Sequence, residues 1–503
     1  MHMAIDAPEL QTAETVPPDP EALIESMRAL GYSLPAAVAD LIDNSISAGA
    51  MEIDVHCQWD GEASWVAVLD DGRGMDQAEL VQAMKLGSRS AAEERAAGDL
   101  GRFGLGLKTA GFSQGRSLTV RSKAPGSEVV QRRWDLDHVR KSKKWSLLIS
   151  GTGRGAEALE RLDAMPSGTV VLLEDLDRLS GESDVDVASD RDFFLAQVRS
   201  VEEHLRMVFH RFMEPPRGIV FRVNGNVLVP WNPFTAGGVY VDSLPEETYD
   251  AGRVAVKPFV MPHFSRLDPA THQDAAGPAG WNHQQGFYVY REERLLVAGS
   301  WLDLPRMTQE EHYKLARIQV DLDNSLDHAW DIDVRKAVAR IPRDLVKRFE
   351  TIARATRKKA AEAYRYRGRR LTSAKAADKA AIWEVRKKGG EYSYRLDRSH
   401  PAIEAARPTD PTQARLFDSA LRVIEEMIPV EAIVMDAREH PDSIREPFAG
   451  GDGEIANMLA DCVDVLVEGG MDAGGAITLL AAREPFDRFP EVVAALRESK
   501  GLG

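Results

Sequence analysis

Three polar side chains interrupt the apolar segment ADLIDNSISAGA at residues 39–50, namely Asp40, Asp43 and Asn44. Short Asp and Asn side chains compete with backbone groups for hydrogen bonds and weaken a helix interior. In a helix, Asp40 and Asn44 lie one turn apart on the same face. The amide oxygen of Asn44 could ligate Mg²⁺, which prefers oxygen donors, and Asp40 could accept a proton from an attacking water. Taken alone, helix capping or chance explains the same residues.

A second segment, VLDDGRGMD, places Asp70 at the end of a strand, followed by Gly72 and Gly74. A carboxylate in that position can accept a hydrogen bond from the exocyclic amine of a base, while the glycines allow the backbone to lie against the ring. A type I′ or type II turn is the alternative interpretation.

A third segment and a later threonine extend the pattern. GDLGRFGLGLKTAG places Gly101, Gly104 and Gly106 before a helix that carries Lys108, and N–H groups at a helix N-terminus bind phosphate. The segment does not match the GxxxxGK[ST] pattern of a P-loop. In SGTVVLLEDL, Thr169 begins a strand. Its hydroxyl could contact a base, although an ordinary β-branched strand residue is the simpler account of Thr169 alone.

The elements that must position these residues follow from the hydrophobic pattern. Residues 19–48 predict two helices divided at GYSLP, where Gly31 ends the first and Pro35 lies in the first turn of the second. MEIDVHCQW and SWVAVLDDG predict two strands, and DQAELVQAMKLG and LKTAGFSQG predict helices. Further strands are predicted in SLTVRSK, SEVVQRRWDLD, KKWSLLIS and SGTVVLLEDL. Mixed helices and antiparallel hairpins predict an α+β sandwich of about 160 residues.

A second unit is predicted from about residue 188 to 345. It contains a hairpin around Asn224-Gly225, a second hairpin in GFYVYREERLLVAGSW and a strand in ARIQVDLDN. Basic helices are expected over 343–385, followed by a connector in GGEYSYRLDRSHP and an acidic, mostly helical module.

Composition narrows the class of protein. At 503 residues, with 44% hydrophobic and 28% charged residues, the chain resembles an ordinary soluble protein of several domains. It contains no apolar run long enough to span a membrane and no signal-peptide pattern at its start. Cys57 and Cys462 are too few for a disulfide framework or a cysteine zinc site. We therefore expect a cytoplasmic protein.

Charge is distributed unevenly along the chain, although the net charge is −16. Residues 343–370 hold 11 basic and 3 acidic residues, or +8, whereas residues 401–503 hold 9 basic and 20 acidic residues, or −11. The basic segment indicates either a solvated helix face or a contact with nucleic acid.

In this order and spacing, the four motifs together resemble the Bergerat-type (GHKL) ATPase superfamily of DNA gyrase, the large heat-shock chaperones, sensor histidine kinases and MutL. LIDNSISAGA, DDGRGM and GRFGLGLKTA are most similar to the MORC ATPases and their MutL-like bacterial relatives, which often accompany restriction-type or anti-phage genes. The resemblance covers about residues 20–180 and continues to about 345.

The resemblance implies an α+β fold: a Bergerat-type α/β sandwich, then a ribosomal-protein-like transducer domain and a mostly helical C-terminal region. The implied domains are a flexible N-terminal arm (1–18), the ATPase domain (19–185), the transducer (186–345), a basic helical segment with a connector (346–400) and the acidic module (401–503).

The resemblance also implies ATP and Mg²⁺ as cofactors and assigns roles to residues. Asn44 would hold Mg²⁺, Asp70 would bind the adenine amine near Gly74 and Thr169, and residues 86–106 would form a lid over the triphosphate. The implied nucleotide-binding residues are Asn44, Asp70, Gly72, Gly74, Met75, Ser88, Gly101, Arg102, Phe103, Gly104, Leu105, Gly106, Leu107, Lys108 and Thr169.

Two implied catalytic residues are Asp40 as general base and Lys336 from the transducer, with Lys314 as the alternative lysine. Asp40 departs from the family, which usually has Glu at this position. Its carboxylate falls about 1 to 1.5 Å short, a misplacement that can cost about 100-fold in rate. We therefore expect slow ATP turnover. Lys336 could stabilise charge on the transferred phosphoryl group, or could be an ordinary solvated lysine.

Two functional hypotheses follow. In the first, ATP closes a homodimeric clamp that holds double-stranded DNA at residues 343–370 and works with a nuclease or helicase partner. In the second, the chain is a chaperone-like clamp that remodels polypeptides. A sensor kinase, a type II topoisomerase and a MutL-like nuclease are disfavoured, because we identify no phosphoacceptor histidine, cleavage domain or metal cluster in the sequence.

Overall fold

The computed structural model describes residues 18–29, 31–86, 106–151, 153–178, 187–332, 339–365, 381–388, 391–430, 432–433, 448 and 452–502. The protein is of the mixed α/β class, and its chain divides into two compact units, Met1–Gly368 and Arg369–Gly503. Residues 1–17 of the predicted N-terminal arm lie outside the described part.

The first unit begins with an α/β layer that carries the motifs. Its helices are α1 (Pro20–Arg28), α2 (Leu34–Ser47), α3 (Gln77–Met84), α4 (Gly106–Gln114), α5 (Leu136–Ser142), α6 (Ala156–Glu160), α7 (Val187–Val208) and α8 (His210–Met213). Its strands are β1 (Glu52–Gln58), β2 (Trp65–Asp70), β3 (Ser117–Lys123), β4 (Val130–Asp135), β5 (Gly168–Glu174), β6 (Val220–Val223) and β7 (Asn226–Val227).

These strands form one sheet in the order β4-β3-β5-β2-β1-β6-β7, in which only the β1–β6 pair is parallel. Alternate residues of each central strand face a large apolar core built with α1, α2, α4 and α7. The opposite face of β2 and β5 packs on the smaller α6 region. Burial on both faces explains why all six residues of β2 are buried.

A second sheet follows in the same unit. Its strands are β8 (Asp242–Ser243), β9 (Glu247–Tyr249), β10 (Val254–Val260), β11 (Gly286–Arg291), β12 (Arg294–Ser300) and β13 (Ala316–Leu322), and its short helices are α9 (Pro269–Ala276) and α10 (Gly280–His283). The strand order is β12-β11-β13-β10-β8, with β9 also paired to β10. Helix α7 packs against both α2 and β12, so it links the two sheets.

Helix α11 (Val346–Arg365) packs on the second sheet. Its inner face buries Phe349, Ile352, Ala353 and Ala360 in the second apolar core. The remaining faces are polar, as the sequence pattern of an amphipathic helix predicts.

The second unit contains a hairpin and several helices. The hairpin pairs β14 (Trp383–Lys388) with β15 (Glu391–Leu396). The helices are α12 (Pro401–Ala406), α13 (Pro411–Glu426), α14 (Asp452–Glu468), α15 (Ala473–Ala481) and α16 (Pro490–Ser499). Helices α14, α15 and α16 enclose a separate apolar core.

The structure corrects three predictions of secondary structure. KKWSLLIS is irregular and makes a single bridge, between Leu148 and Arg133, because it lacks a longer partner strand. The segment around 383–396 was expected as helix and connector but forms the β14–β15 hairpin. The hairpin at Asn224-Gly225 forms as expected, yet it extends the first sheet through β6 and β1 rather than the second sheet. Within the described residues, no helix has the length and apolar character needed to cross a membrane.

Candidate functional site

Three polar side chains form a row across adjacent strands of the first sheet. Asp70, the last residue of β2, is paired with Thr169 of β5, which is in turn paired with Ser122 of β3. Residues directly opposite each other on neighbouring strands point to the same face. That face is the one covered by α2 and α4, because Val68, Val120 and Val171, two residues along each strand, belong to the same large core.

Asp70 is buried, and two hydrogen bonds hold its carboxylate in place. Its Oδ2 accepts a hydrogen bond from the Ser45 hydroxyl (2.7 Å), and its Oδ1 accepts one from the Gly72 N–H (3.0 Å). Burial raises the pKa of Asp70 to about 6, while the hydrogen bonds from Ser45 and Gly72 act in the opposite direction. This carboxylate is therefore an orienting acceptor at the floor of the site.

The turn after β2 lies closely against the ends of β3 and β5. Gly74 has a φ of +61°, and a Cβ built there would lie 1.9 Å from the Lys123 carbonyl oxygen, so only glycine fits. The Met75 N–H donates to the Ser122 hydroxyl (2.8 Å), which also lies 2.8 Å from the Thr169 hydroxyl. The turn and the strand row therefore form one connected polar surface.

Helix α2 brings its polar face to the same region. Ser33 is the N-cap and Pro35 lies in the first turn, so Asp40 and Asn44 lie beyond the first turn and N-capping does not explain them. Ser45, on the same helix, bonds Asp70 directly. Asn44 is exposed and its amide nitrogen donates to the Asp40 carbonyl oxygen (3.2 Å).

Asp40 is only 4% exposed and its two carboxylate oxygens have different partners. Oδ2 accepts a hydrogen bond from the Tyr32 hydroxyl (3.2 Å), and Oδ1 lies 3.3 Å from Nη2 of Arg294, the first residue of β12. Nε of Arg294 lies 2.7 Å from Oδ1 of Asp43, which is also buried. An arginine of the second sheet thus reaches both acids of the motif helix.

Residues 106–111 of the glycine-rich segment are described, and they lie at the start of α4. Gly106 and Leu107 begin the helix, and a Cβ on Gly106 would meet nothing within 4 Å. Lys108 is buried and donates to the Ala83 carbonyl oxygen (3.0 Å) at the end of α3, and burial lowers its pKa to about 8. In this conformation its ammonium group therefore caps α3.

Several predicted site residues lie outside the described part of the chain: Ser88, Gly101, Arg102, Phe103, Gly104, Leu105 and Lys336. The alternative lysine, Lys314, is described. It pairs with Glu311 and lies 5.5 Å from the ring centre of Tyr364 in α11. Its contacts are thus to the region around α11.

Sequence reasoning assigned no functional role to Tyr32, Ser45, Ser122 or Arg294. Ser45 directly follows Asn44 but lies about 140° around the helix from Asp40, so its position next to Asn44 in the sequence is the local signal that could have identified it. The other three approach the motif residues through tertiary contacts that carry no local pattern.

The chemistry of Asn44 fits a magnesium ion that also binds oxygens of a phosphate ligand. Because the amide nitrogen of Asn44 donates to Asp40, its amide oxygen remains the acceptor, which is the donor type that Mg²⁺ prefers. Among the described residues, no group of three or more His, Cys, Asp or Glu could hold a metal by itself. A cation here would need water and ligand oxygens, as Mg²⁺ usually does.

The outer face of α11 forms a separate basic surface. It exposes Lys347, Arg348, Arg354, Lys358 and Lys359. Residues 347, 354 and 358 recur at helical spacing, so their side chains form one stripe. Arg357 differs, because it is buried against Tyr313 and Trp301 and pairs with Glu310.

Comparison with known proteins agrees with this geometry. Residues 32–169 match a family model described as histidine kinase-, DNA gyrase B-, and HSP90-like ATPase. The chain is 32% identical over 150 residues to the DNA mismatch repair protein MutL of Rhodospirillum rubrum, covering 28% of this chain and 20% of that protein. It is 30% identical over 91 residues to ATPase morc-1 of Caenorhabditis elegans, covering 18% of this chain and 10% of that protein.

A second MutL, from Rhodopseudomonas palustris, is 28% identical over 195 residues, or 39% of this chain and 28% of that protein. The chain thus matches less than a third of the length of each of these relatives. The matched family region contains α2, the turn after β2 and Thr169, which are the elements that meet at the site. Residues 32–169 therefore form an ATPase domain of the GHKL family, with weak similarity to the MutL and MORC ATPases.

Proposed function

We propose that this chain binds ATP, hydrolyses it slowly, and acts as an ATP-gated homodimeric clamp on double-stranded DNA. The observation that carries the proposal is the convergence of Asp70, Thr169 and the polar face of α2 on one side of the first sheet. We place the clamp in a bacterial DNA-manipulation system of the restriction or anti-phage type.

In the proposed complex, Asp70 accepts a hydrogen bond from the adenine amine. Its carboxylate is already oriented by Ser45 and Gly72, so little reorganisation is needed on binding. Gly74 and Met75 bring backbone close to the ring, and Thr169, linked to Ser122, supplies a hydroxyl beside it. The base is thereby bound at the edge formed by β2, β5 and β3.

The phosphates extend from this edge toward α2 and α4. Asn44 would hold Mg²⁺, which when bound neutralises phosphate charge. Backbone N–H groups of residues 104–107 bind the phosphates, and residues 86–106 close over them. Lys336 supplies positive charge to the terminal phosphoryl group.

Asp40 acts as the general base and accepts the proton of the attacking water. It lies one helical turn from Asn44, so the base and the metal ligand act at the same end of the nucleotide. The short Asp side chain, compared with the Glu usual in the family, accounts for the slow turnover that we propose.

The basic face of α11 is the proposed DNA contact. Its five exposed cations lie on a helix that is packed on the second sheet, so they are presented together. Such contacts bind phosphates and give little sequence preference. Two of the similar proteins are DNA mismatch repair proteins, which supports a contact with DNA.

The proposal is tested by measuring ATP binding, ATP hydrolysis and molecular mass for three variants beside the wild type. We expect Asn44→Ala to abolish nucleotide binding, and Asp40→Asn to bind ATP but to remain dimeric because hydrolysis stops. Asp163→Asn is the matched control, since it removes an exposed carboxylate whose ion-pair partner within the described part of the chain is Arg121 (2.6 Å). Hydrolysis by Asp40→Asn at the wild-type rate would show that the assigned base is wrong.

A further inference from the structure

We propose that Arg294 is a positioning residue for Asp40, and that it transmits the placement of the second sheet to the ATP site. This inference rests on the proposed function, in which Asp40 is the general base. Arg294 itself touches no nucleotide in this proposal; it acts through the Asp40 carboxylate.

The geometry holds the Asp40 carboxylate at two points. Tyr32, from the segment before α2, binds Oδ2, and Arg294, from β12, binds Oδ1. With one oxygen bonded from each side, rotation of the carboxylate about its Cβ–Cγ bond breaks a contact. The base is therefore oriented by elements outside its own helix.

Arg294 is itself anchored. Its side chain is 5% exposed, its Nε lies 2.7 Å from Oδ1 of Asp43, and its guanidinium carbon lies 5.7 Å from the ring centre of Phe209. The approach of Nε to Asp43 is a close charge contact without hydrogen-bond alignment, whereas Nη2 donates a hydrogen bond to Asp40. A planar guanidinium can contact two acids in this way, which a single ammonium group cannot do in the same geometry. The residue type thus matches the two-acid arrangement.

The nearby histidine does not add a positive charge to this arrangement. His204 of α7 lies near both Arg294 and Asp43, and burial, assisted by the charge of Arg294, lowers its pKa to about 4. It is therefore neutral at pH 7. Arg294 contacts both buried carboxylates, so a shift of its guanidinium changes the charge that each of them faces.

The contact crosses from one sheet to the other. Arg294 begins β12 of the second sheet, while Asp40 and Asp43 lie on α2 above the first sheet. A shift of β12 relative to α2 moves the guanidinium and with it the base. Nucleotide-driven closure of the second sheet would in this way change the hydrolysis rate.

The test compares Arg294→Lys with Arg133→Lys by steady-state ATP hydrolysis and thermal unfolding. Arg133 pairs with buried Glu174 (2.6 Å) at the opposite end of β5 from Thr169, so it controls for loss of a buried arginine–carboxylate pair. We expect Arg294→Lys to lower kcat roughly 10- to 100-fold with KM for ATP within about twofold, because misplacement of a base by about 1 Å has that effect. Arg133→Lys should lower the melting temperature and leave kcat unchanged.

If Arg294→Lys does not fold, Asp43→Asn provides the second variant. It removes the charge that anchors Nε while keeping the side-chain shape, and should lower kcat at least about threefold at unchanged KM. If kcat falls only in proportion to the fraction of the variant protein that is unfolded, Arg294 has no positioning role.

The outcomes separate this inference from the proposed function. If Asp40→Asn is inactive but both Arg294→Lys and Asp43→Asn retain wild-type kcat, the positioning role is wrong and the ATPase assignment stands. If the wild type binds ATP without hydrolysing it, Asp40 is no base and both proposals fall.

Discussion

At the residue scale, Gly74 is the position where backbone geometry most constrains the site. Its φ of +61° disfavours any other residue, and a Cβ would also lie 1.9 Å from the Lys123 carbonyl oxygen. We expect Gly74→Ala to lower the free energy of unfolding by about 3 kcal/mol or more, as strain and overpacking add. Gly126→Ala is the control, because Gly126 has a φ of +72° but nothing within 4 Å of a Cβ.

Gly126→Ala should cost only about 1 kcal/mol, the strain of the left-handed conformation alone. Denaturant unfolding of both variants measures the difference. Equal losses would mean that the close approach of this turn to β3 is relaxed in solution.

Asp70 makes stability depend on pH. Its pKa is raised to about 6 in the folded chain but is about 3.9 in an unfolded one. Between these values the native state keeps a proton that the unfolded state has released, so the free energy of unfolding falls as pH rises from about 4 to 6. The shift corresponds to about 3 kcal/mol.

Replacing the carboxylate by an amide removes this dependence. We expect the difference in unfolding free energy between Asp70→Asn and wild type to change by about 2 kcal/mol from pH 4 to pH 7, in favour of the variant at the higher pH. Asp163→Asn, at an exposed acid, serves as the control. Parallel curves for Asp70→Asn and wild type would contradict the buried environment assigned to Asp70.

The motif residues could be predicted from the sequence, whereas their supporting residues could not. Asp40, Asn44, Asp70 and Thr169 stand in an order and spacing that a single chain displays directly. Arg294 lies 254 residues from Asp40 and forms part of an ordinary hairpin pattern. Only the packing of β12 on α7, which in turn packs on α2, brings it to the acid.

At the element scale, α11 combines a structural face and an exposed face. Arg357 is buried, with its guanidinium 3.8 Å from the ring centre of Tyr313 and 3.0 Å from Glu310, whereas Arg354 is 59% exposed and pairs with Glu350 one turn away. We expect Arg357→Ala to lower the unfolding free energy by about 2 to 3 kcal/mol. Arg354→Ala should cost about 0.5 kcal/mol or less.

For DNA affinity we expect the opposite order, with the larger loss in Arg354→Ala. Arg354→Ala removes a cation from the exposed stripe and should weaken binding, while Arg357→Ala, measured below its melting temperature, should not. Thermal unfolding and fluorescence anisotropy with a labelled duplex provide the two measurements. If Arg357→Ala weakens DNA binding more than Arg354→Ala does, the buried face also contributes to the contact.

Helices with local sequence signals were predicted correctly. Strands whose formation depends on a distant partner strand were not. Helices α1, α2 and α3 were predicted from their caps, prolines and periodicity. The strand expected in KKWSLLIS is absent because Leu148 finds only one partner on β4. Charged residues in WEVRKK concealed β14, although alternation and the following Gly-Gly are typical of a hairpin.

At the scale of the whole molecule, opposite charges lie on different parts of a chain with net charge −16. In the proposed function, the exposed face of α11 must therefore overcome the repulsion between the net negative chain and DNA. Binding carried by five phosphate contacts has a slope of about −4.5 in log affinity against log salt. Affinity for a DNA duplex, with a non-hydrolysable ATP analogue present, should fall about 500-fold between 50 and 200 mM salt.

Charge reversal locates the contact. Lys358→Glu/Lys359→Glu removes two of the five cations, and we expect it to reduce the salt slope by about 2 and to weaken binding at 50 mM salt. Lys143→Glu/Lys144→Glu is the matched control, since it changes the same charge at an adjacent pair of exposed lysines after α5. The control should bind DNA with the wild-type slope.

Nucleotide dependence tests the clamp itself. In the proposed mechanism ATP joins two copies of the 55.5 kDa chain and closes them around DNA, so the affinity should rise when the analogue is added and the complex should have the mass of a dimer. Asn44→Ala should lose the increase but keep the salt-dependent binding of the nucleotide-free chain, because α11 is unchanged. If the affinity for DNA is the same at 50 and 200 mM salt, α11 makes no phosphate contact. If the analogue still raises the affinity of Asn44→Ala, DNA binding is not coupled to the ATP site.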